Sequence, residues 1–290
     1  MESEKLKIKA PKVRKGWRRL PIVPVTILVL FALAAIFADI LAPYPPDIFS
    51  LPDRLTPPFF INGGSTAHIL GTDALGRDIL SRTIFGARIS LSVAVMVILI
   101  STVIGTIFGM IAGYRGGRTD AVLMRVTDAA LSFPSILIAL LLAVSLGPSF
   151  NTVVLALSAL GWSPFARMIR GEVVKLRGED FIAQARIIGS SPARIILTHI
   201  FPNIVNTLIV LMTLSVGIVI LVEASLSFLG AGIPPPTPSW GSMVADGRDL
   251  FDRAWWISFF PGLAIGLVVL SGNFLGDWVR DKLDPKLRQL

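Results

Sequence analysis

Residues 90–113 read SLSVAVMVILISTVIGTIFGMIAG, a run of 24 residues without Asp, Glu, Lys, Arg or His. A helix needs about 20 consecutive apolar residues to cross the hydrocarbon core of a bilayer, so the run predicts a membrane-spanning helix. Within it, Gly105, Gly109 and Gly113 recur at every fourth position. This spacing predicts a face of nearly bare backbone, against which another helix packs closely within a bundle or across a subunit interface.

Five further stretches are apolar enough to cross the membrane, and they contain no Asp, Glu, Lys, Arg or His either. They are residues 22–38, 129–147, 150–164, 203–222 and 254–275. The stretch over 150–164 is short, and we expect Gly161 and Pro164 to break it. The whole chain of 290 residues is 53% hydrophobic and only 16% charged, against about 25% charged in soluble domains. The sequence therefore predicts an all-α membrane protein with six transmembrane helices, and excludes an ordinary soluble enzyme.

The distribution of charge predicts how the chain is oriented. Residues 1–19 hold eight Lys or Arg against two Glu, which accounts for six of the eight net positive charges. A basic tail directly before an apolar run is typical of the cytoplasmic side of a membrane and does not indicate nucleic-acid binding. The loop 165–202, with six basic and three acidic residues, falls on the same side. We expect a cytoplasmic tail over 1–20, a membrane domain over 21–290, and both termini in the cytoplasm.

Several function classes are disfavoured by what the sequence lacks. Ion-coupled carriers usually keep ionisable residues within the membrane, whereas the six predicted spans have none. The nearest approach to a phosphate loop is residues 71–78, GTDALGRD, in which Arg77-Asp78 replaces Lys-Ser/Thr and the carboxylate would repel a phosphate. His68 and His199 are isolated, and there is no cysteine. We therefore expect a non-catalytic chain that binds no cofactor or metal, so that any uphill transport would be powered by another chain.

The predicted cytoplasmic loop contains a helix-turn-helix pattern, GEDFIAQARIIGSSPAR over residues 178–194. Glu179 and Asp180 suit the first turn of a helix, because they oppose its dipole. Gly189 is suited to end that helix in the left-handed conformation. Ser191 and Pro192 then suit the cap and the first residue of a new helix.

The first of these two helices is predicted to be amphipathic. Phe181, Ala185 and Ile188 are spaced at i, i+4 and i+7, which places them on one face. Such a helix either lies on the membrane surface or binds in a groove of a partner protein. The residues alone leave both interpretations open.

A family resemblance distinguishes between them. Ala185, Gly189 and Pro202 match the EAA loop of ABC importer permeases, although Ala183 and Gln184 depart from its usual Glu and Ala. In that family the loop forms a coupling helix that docks on the ATPase subunit. The resemblance implies that the coupling residues are Asp180, Phe181, Ala183, Gln184, Ala185, Arg186, Gly189 and Pro202.

Other segments resemble the C-type permease of the dipeptide/oligopeptide/nickel branch of this family. They are residues 68–78 (HILGTDALGRD), 226–230 (LSFLG), 235–241 (PPTPSWG), 260–264 (FPGLA) and 283–288 (LDPKLR). We expect the loops among them to shape an outer gate and to meet a substrate-binding protein; the alternative is that they only anchor the helix ends. The outer-loop candidates are Gly71, Thr72, Asp73, Gly76, Arg77, Asp78 and Trp240.

The resemblance, which runs from about residue 20 to the C-terminus, implies a type I ABC importer permease in the inner membrane of a prokaryote. Its partners would be a second, homologous permease, two ATPase subunits that bind ATP and Mg, an extracytoplasmic solute-binding protein and the bilayer. Peptides are the expected substrate, with nickel or another small solute as the alternative. A stand-alone channel or facilitator and a membrane scaffold are the competing classes, and an ion-driven transporter is a more distant one.

Overall fold

The computed structural model describes residues 20–283, which form helices and connecting segments without a β-strand, as expected of an all-α protein. The helices are α1 (Ile22–Ile36), α2 (Ala38–Leu41), α3 (Ile79–Arg115), α4 (Gly117–Ser132), α5 (Ser135–Leu146), α6 (Phe150–Arg177), α7 (Asp180–Ile187), α8 (Pro192–Arg194), α9 (Phe201–Phe228), α10 (Trp240–Gly247), α11 (Phe251–Ala254) and α12 (Trp256–Leu283). Residues 1–19 of the predicted basic tail and residues 284–288 of the last motif lie outside the described part.

Four helical segments within residues 20–283 are long and apolar enough to cross a membrane: α3, α6, α12 and the continuous helix Pro192–Phe228. A fifth span is formed if α4 and α5, which meet at an 82° bend, are counted as one. The first predicted stretch corresponds to α1, a shorter apolar helix of 15 residues. Each of the six predicted stretches corresponds to one of these segments, but for two of them the prediction of where the helix is continuous or broken is wrong.

The prediction of one continuous helix over 129–147 is wrong. The chain is helical up to Ser132, turns sharply, and becomes helical again at Ser135. Pro134 accounts for the break, because its ring disfavours helical geometry at the preceding residue. Phe133 accordingly has the extended backbone angles φ −88° and ψ 137°.

The prediction that Pro164 would break the next span is also wrong, since α6 runs through it to Arg177. A proline inside a helix leaves the carbonyl four residues earlier without its amide donor. Here the hydroxyl of Ser163 donates a hydrogen bond to that carbonyl, on Leu160, at 2.7 Å. The side chain thus replaces the missing backbone bond and α6 continues.

The glycine face predicted on the second span is confirmed, and its partner is α6 of the same chain. A Cβ atom on Gly105 would lie 2.5 Å from the Cβ of Phe165, and one on Gly113 would lie 2.8 Å from the Cβ of Val173. On Gly109 it would lie 2.7 Å from the carbonyl oxygen of Ala166. The two backbones therefore approach at a distance that only glycine allows, which increases the dispersion contact between them.

The 37 residues of α3 correspond to a length of about 55 Å, longer than a bilayer core of about 30 Å. Helix α3 starts beside α10 and ends beside α7. We call these two ends of the bundle the α10 end and the α7 end. A separate buried hydrophobic cluster lies at each: Ile79 and Met243 belong to one, and Ile182 and Ile195 to the other.

Candidate functional site

The helix α7 ends as its sequence predicts. Gly189 has a φ of +86°, in the left-handed region. Its amide donates to the carbonyl of Arg186, and the amide of Ser190 donates to that of Ala185, both at 3.0 Å. This pair of bonds is the glycine-terminated helix end known as the Schellman motif. The chain therefore turns sharply away from α7 toward α9.

The second helix of the pattern also starts as predicted. The hydroxyl of Ser191 accepts a hydrogen bond from the amide of Arg194 at 3.3 Å, and Pro192 occupies the first turn. The helix then widens into a π-helical turn, Ile195–Ile200, and passes into α9. The wide turn directly precedes Pro202, which has no amide to donate to the regular helical ladder.

Helix α7 packs on the bundle through a face that is centred one residue away from the apolar face predicted for a membrane or a partner. Ile182 is fully buried and Ala185 is 7% exposed, whereas Phe181 is 39% exposed and Ile188 is 83% exposed. Ile182 and Ala185 pack in the cluster that contains Ile195 of the following helix. Of the predicted apolar face, Phe181 and Ile188 are exposed, as a face that contacts a membrane or a partner protein has to be, whereas Ala185 turns into the bundle beside Ile182.

The predicted coupling residues are therefore presented outward, with one exception. The exposed ones are Asp180, Phe181, Ala183, Gln184, Arg186, Gly189 and Pro202, while Ala185 is buried. The guanidinium of Arg186 lies 5.5 Å from the ring centre of Tyr114, at the end of α3. Ile187, which the sequence did not single out, is 86% exposed and lies beside Ile188. Together, Phe181, Ile187 and Ile188 form an apolar surface on α7, which we call the α7 surface.

At the α10 end, the predicted outer loop folds around Asp73. One carboxyl oxygen of Asp73 accepts the amides of Leu75 at 2.8 Å and of Arg77 at 3.0 Å. Its other oxygen accepts a hydrogen bond from Nε of Arg77 at 2.6 Å. Gly76 completes the turn with a φ of +75°, and a Cβ there would lie 1.8 Å from the carbonyl oxygen of Ser50. The turn therefore requires glycine at this position.

The charges of this turn continue into an ion network with α10. Oδ2 of Asp246 lies 3.5 Å from Nη2 of Arg77 and 3.4 Å from Nη2 of Arg82. Nη1 of Arg82 lies 3.6 Å from Oδ2 of Asp73. Burial raises the pKa of Asp246, against the opposing effects of Arg82 and Arg77. The network ties the loop before α3 to α10, and the sequence did not single out Asp246 because it lies 169 residues from Arg77.

Asp78 caps the start of α3. One oxygen of its carboxyl group accepts both the amide and the hydroxyl of Ser81 at 2.8 Å, and the other lies 3.0 Å from Nδ1 of His68. The backbone of the same motif is held by Trp256, whose indole N–H donates to the carbonyl of Thr72 at 3.0 Å. Gly71, with a φ of +82°, gives this indole room, since a Cβ would lie 2.9 Å from its nitrogen.

Trp240 joins α10 to α3. Its side chain is fully buried, and its indole N–H donates to the carbonyl of Thr83 at 3.0 Å. Its ring lies over Gly86, where a Cβ would come within 2.9 Å of it. The structure thus places all seven outer-loop candidates in the interior of the α10 end. The exposed side chains of the motif are its neighbours Ile69, 43% exposed, and Leu75, 40% exposed.

Glu223 is a buried acid that directly follows the span predicted over residues 203–222. The helix α9 continues to Phe228, so Glu223 lies inside it with its side chain fully buried. The premise that the spans lack ionisable residues therefore holds for the predicted boundaries but not for the complete helix. Within residues 20–283, no group of three His, Asp or Glu residues is arranged to hold a metal ion.

Comparison with known proteins identifies the family. The family model of the binding-protein-dependent transport system inner membrane component matches residues 105–289. The chain is 40% identical over 261 residues to the di/tripeptide transport system permease protein DppC of Pseudomonas aeruginosa, covering 90% of this chain and 86% of that one. It is 40% identical over 271 residues to the oligopeptide transport system permease protein OppC of Bacillus subtilis, covering 93% and 87%. It is 39% identical over 280 residues to the glutathione transport system permease protein GsiD of Pectobacterium atrosepticum, covering 95% and 91%. The chain therefore belongs to the family of binding-protein-dependent transport system inner membrane components.

Proposed function

We propose that this chain is one of two permease subunits of an ATP-driven importer of short peptides. The observation that carries the proposal is the similarity, over at least 86% of their lengths, to permeases named for di/tripeptide and oligopeptide transport. A relative named for glutathione, itself a short peptide, supports the same substrate class. The chain would form half of the pathway, and a homologous permease would form the other half.

The α7 surface is the proposed docking site for an ATPase subunit. It presents the apolar side chains Phe181, Ile187 and Ile188 beside the charged residues Asp180 and Arg186, all of them exposed. An apolar helix face with a polar rim is suited to a groove on a partner protein. On this proposal the α7 end faces the cytoplasm, as do both termini, and ATP and Mg bind to the partner ATPases and not to this chain.

The α10 end is the proposed outer gate, facing a solute-binding protein. The ion network of Asp73, Arg77, Arg82 and Asp246 is largely interior, so its role in the proposal is to hold the outer loops in shape. Contact with the binding protein would come from exposed neighbours such as Leu75. This combines the two interpretations of the outer motifs, because a gate has to be anchored in order to be positioned.

The test is a mild-detergent purification of the tagged chain from its native membrane, with mass spectrometry of the co-purifying proteins. We expect a second permease of this family, ATP-binding subunits and a binding protein. The purified assembly, placed in liposomes, should accumulate radiolabelled dipeptides only when ATP is supplied on the α7 side. A chain that purifies alone and conducts solute by itself would refute the proposal in favour of a channel. Uptake of Ni²⁺ but not of peptides would show that nickel, and not a peptide, is the substrate.

A further inference from the structure

Glu223 is the buried ionisable group that the proposed function leaves without a role. It lies in α9 five residues before the helix ends at Phe228, where α9 packs against α3 and α10. Burying a carboxyl group is unfavourable unless hydrogen bonds satisfy its oxygens. The partners of this side chain therefore show what it holds together.

Two hydrogen-bond chains run from the first turn of α10 to the carboxyl group of Glu223. In the first, the amide of Trp240 donates to the hydroxyl of Ser90 at 3.3 Å, and that hydroxyl donates to Oε2 of Glu223 at 3.1 Å. In the second, the hydroxyl of Ser239 donates to that of Ser227 at 3.4 Å, which donates to Oε1 of Glu223 at 2.9 Å. One side chain thus links three helices, because Ser90 lies in α3, Ser227 in α9, and Ser239 caps α10.

Close backbone packing couples the position of α10 to that of α9. A Cβ on Gly241 would lie 2.5 Å from the Cα of Ala224 and 2.8 Å from the Cβ of Ser227. Because α10 also carries Trp240 and Asp246, a displacement of α9 would be passed to the ion network around Arg77.

The helix that contains Glu223 starts next to the α7 surface. The helix is continuous from Pro192 to Phe228, and from Pro192 to Glu223 it spans about 45 Å at 1.5 Å per residue. Near its start, Ile195 and Ile200 pack in one cluster with Ile182 of α7. A displacement of α7 is therefore transmitted directly to the helix Pro192–Phe228.

We propose that Glu223 is a positioning residue that transmits the displacement of α7 to α10 and so to the outer loops. The proposal rests on the proposed function, since it requires an ATPase at the α7 end and a binding protein at the α10 end. It adds a specific link: the carboxyl group of Glu223 connects the last part of the helix Pro192–Phe228 to both α10 and α3.

The test uses the complete transporter in lipid nanodiscs, with both permeases, both ATPases and the binding protein. The measured quantities are ATP hydrolysis without binding protein, and hydrolysis with binding protein and a dipeptide. Their ratio reports communication between the two ends of the permease. A wild-type complex without stimulation would count against the proposed function itself, whereas the ratio in variants of a working complex tests Glu223.

In Glu223→Ala we expect basal hydrolysis to be retained and the stimulation ratio to fall by at least fivefold, the lower limit of the ~5–150-fold range typical of coupled sites. Glu223→Gln should recover part of the ratio, because its amide oxygen still accepts from Ser227 and its NH₂ donates to the hydroxyl of Ser90. Ser225→Ala is the matched control: it removes an exposed hydroxyl of α9 that bonds only its own helix, and the ratio should not change.

Ser90→Ala provides a second, milder test, which removes the link to α3 and the chain from the amide of Trp240 but leaves the chain through Ser239 and Ser227 in place. If Glu223→Ala fails to assemble, a reduced ratio in Ser90→Ala with wild-type basal hydrolysis supports the proposal. A wild-type ratio in an assembled Glu223→Ala complex would overturn the proposal, and so would a wild-type ratio in Ser90→Ala if Glu223→Ala does not assemble. A parallel loss of basal and stimulated hydrolysis in every assembled variant would also overturn it, since that result indicates a purely structural role.

Discussion

Nε of Arg77 donates a hydrogen bond to Oδ2 of Asp73 at 2.6 Å, and both side chains are less than 10% exposed. The two residues are four positions apart on a turn that precedes α3, not on a helix. Asp73 therefore has two functions: it shapes the turn by accepting two backbone amides, and it neutralises two buried arginines.

The first prediction is that Asp73→Ala strongly destabilises the α10 end. The substitution leaves Arg77 and Arg82 buried with only the half-exposed Asp246 as a partner, and breaking a buried pair from one side costs about 3–5 kcal/mol. Denaturant titration of the purified assembly would measure the loss. Asp249→Ala is the control, because it removes a carboxylate from an exposed pair with Arg248 and should have little effect. Equal stabilities of the two variants would contradict the role of the network.

The second prediction concerns the glycine face of α3. In Gly109→Ala the new methyl group meets the backbone of Ala166 at 2.7 Å, so the contact between α3 and α6 has to open. Such overpacking costs about 1–3 kcal/mol. Gly266→Ala is the control, because a Cβ there meets no atom within 4 Å and should not reduce stability. Thermal unfolding of the two variants in the same detergent would compare them, and an unchanged Gly109→Ala would argue against the close approach.

The third prediction concerns the proline inside α6. Ser163→Ala removes the hydroxyl that satisfies the carbonyl of Leu160 beside Pro164, and leaving this partly buried acceptor unpaired costs about 1 kcal/mol, the lower end of the range for buried groups. The loss should appear as a lower unfolding temperature with normal insertion into the membrane. Ser163→Thr, which keeps a hydroxyl, should recover most of it. If Ser163→Ala were as stable as the wild type, another donor would have to satisfy this carbonyl.

The fourth prediction separates docking from stability at the α7 surface. Ile187→Ser combined with Ile188→Ser removes apolar area that is more than 80% exposed, so the permease should keep its stability. Retention of the ATPase in a pull-down should fall about tenfold, the effect of losing ~1.4 kcal/mol of binding free energy.

The control for this pair is Ile182→Val, a substitution beneath the same helix. Ile182 is fully buried, so the change should cost stability, about 0.5–1.5 kcal/mol, with little loss of ATPase binding at low temperature. The assignment of the α7 surface would be wrong if Ile182→Val released the ATPase while the double serine variant retained it.

Local sequence determined the features that depend on a few adjacent residues. Gly189 ends α7 because a glycine reaches a φ of +86° without strain, and Ser191 starts the next helix because its hydroxyl reaches the amide of Arg194. The positions of Gly105, Gly109 and Gly113 were enough to predict a close helix contact, although not that α6 would be the partner. The length and composition of the apolar runs determined the class of the protein, since the bilayer thickness sets the same length requirement for every span.

Tertiary contacts decided what depends on distant residues. The face of α7 that packs on the bundle is selected by contacts with Ile195 of the following helix and Val173 of α6, and not by the hydrophobic spacing within α7.

The same holds for the charged residues. Glu223 marks the end of the apolar run from residue 203, yet it lies buried within α9 because the hydroxyls of Ser90 in α3 and Ser227 in α9 donate to its carboxyl group. Asp246 joins Arg77 across 169 residues of chain, a relationship that no local pattern contains. A residue's neighbours in sequence determine its backbone geometry, but burial of a charge is decided by partners that only the packed bundle brings within hydrogen-bonding distance.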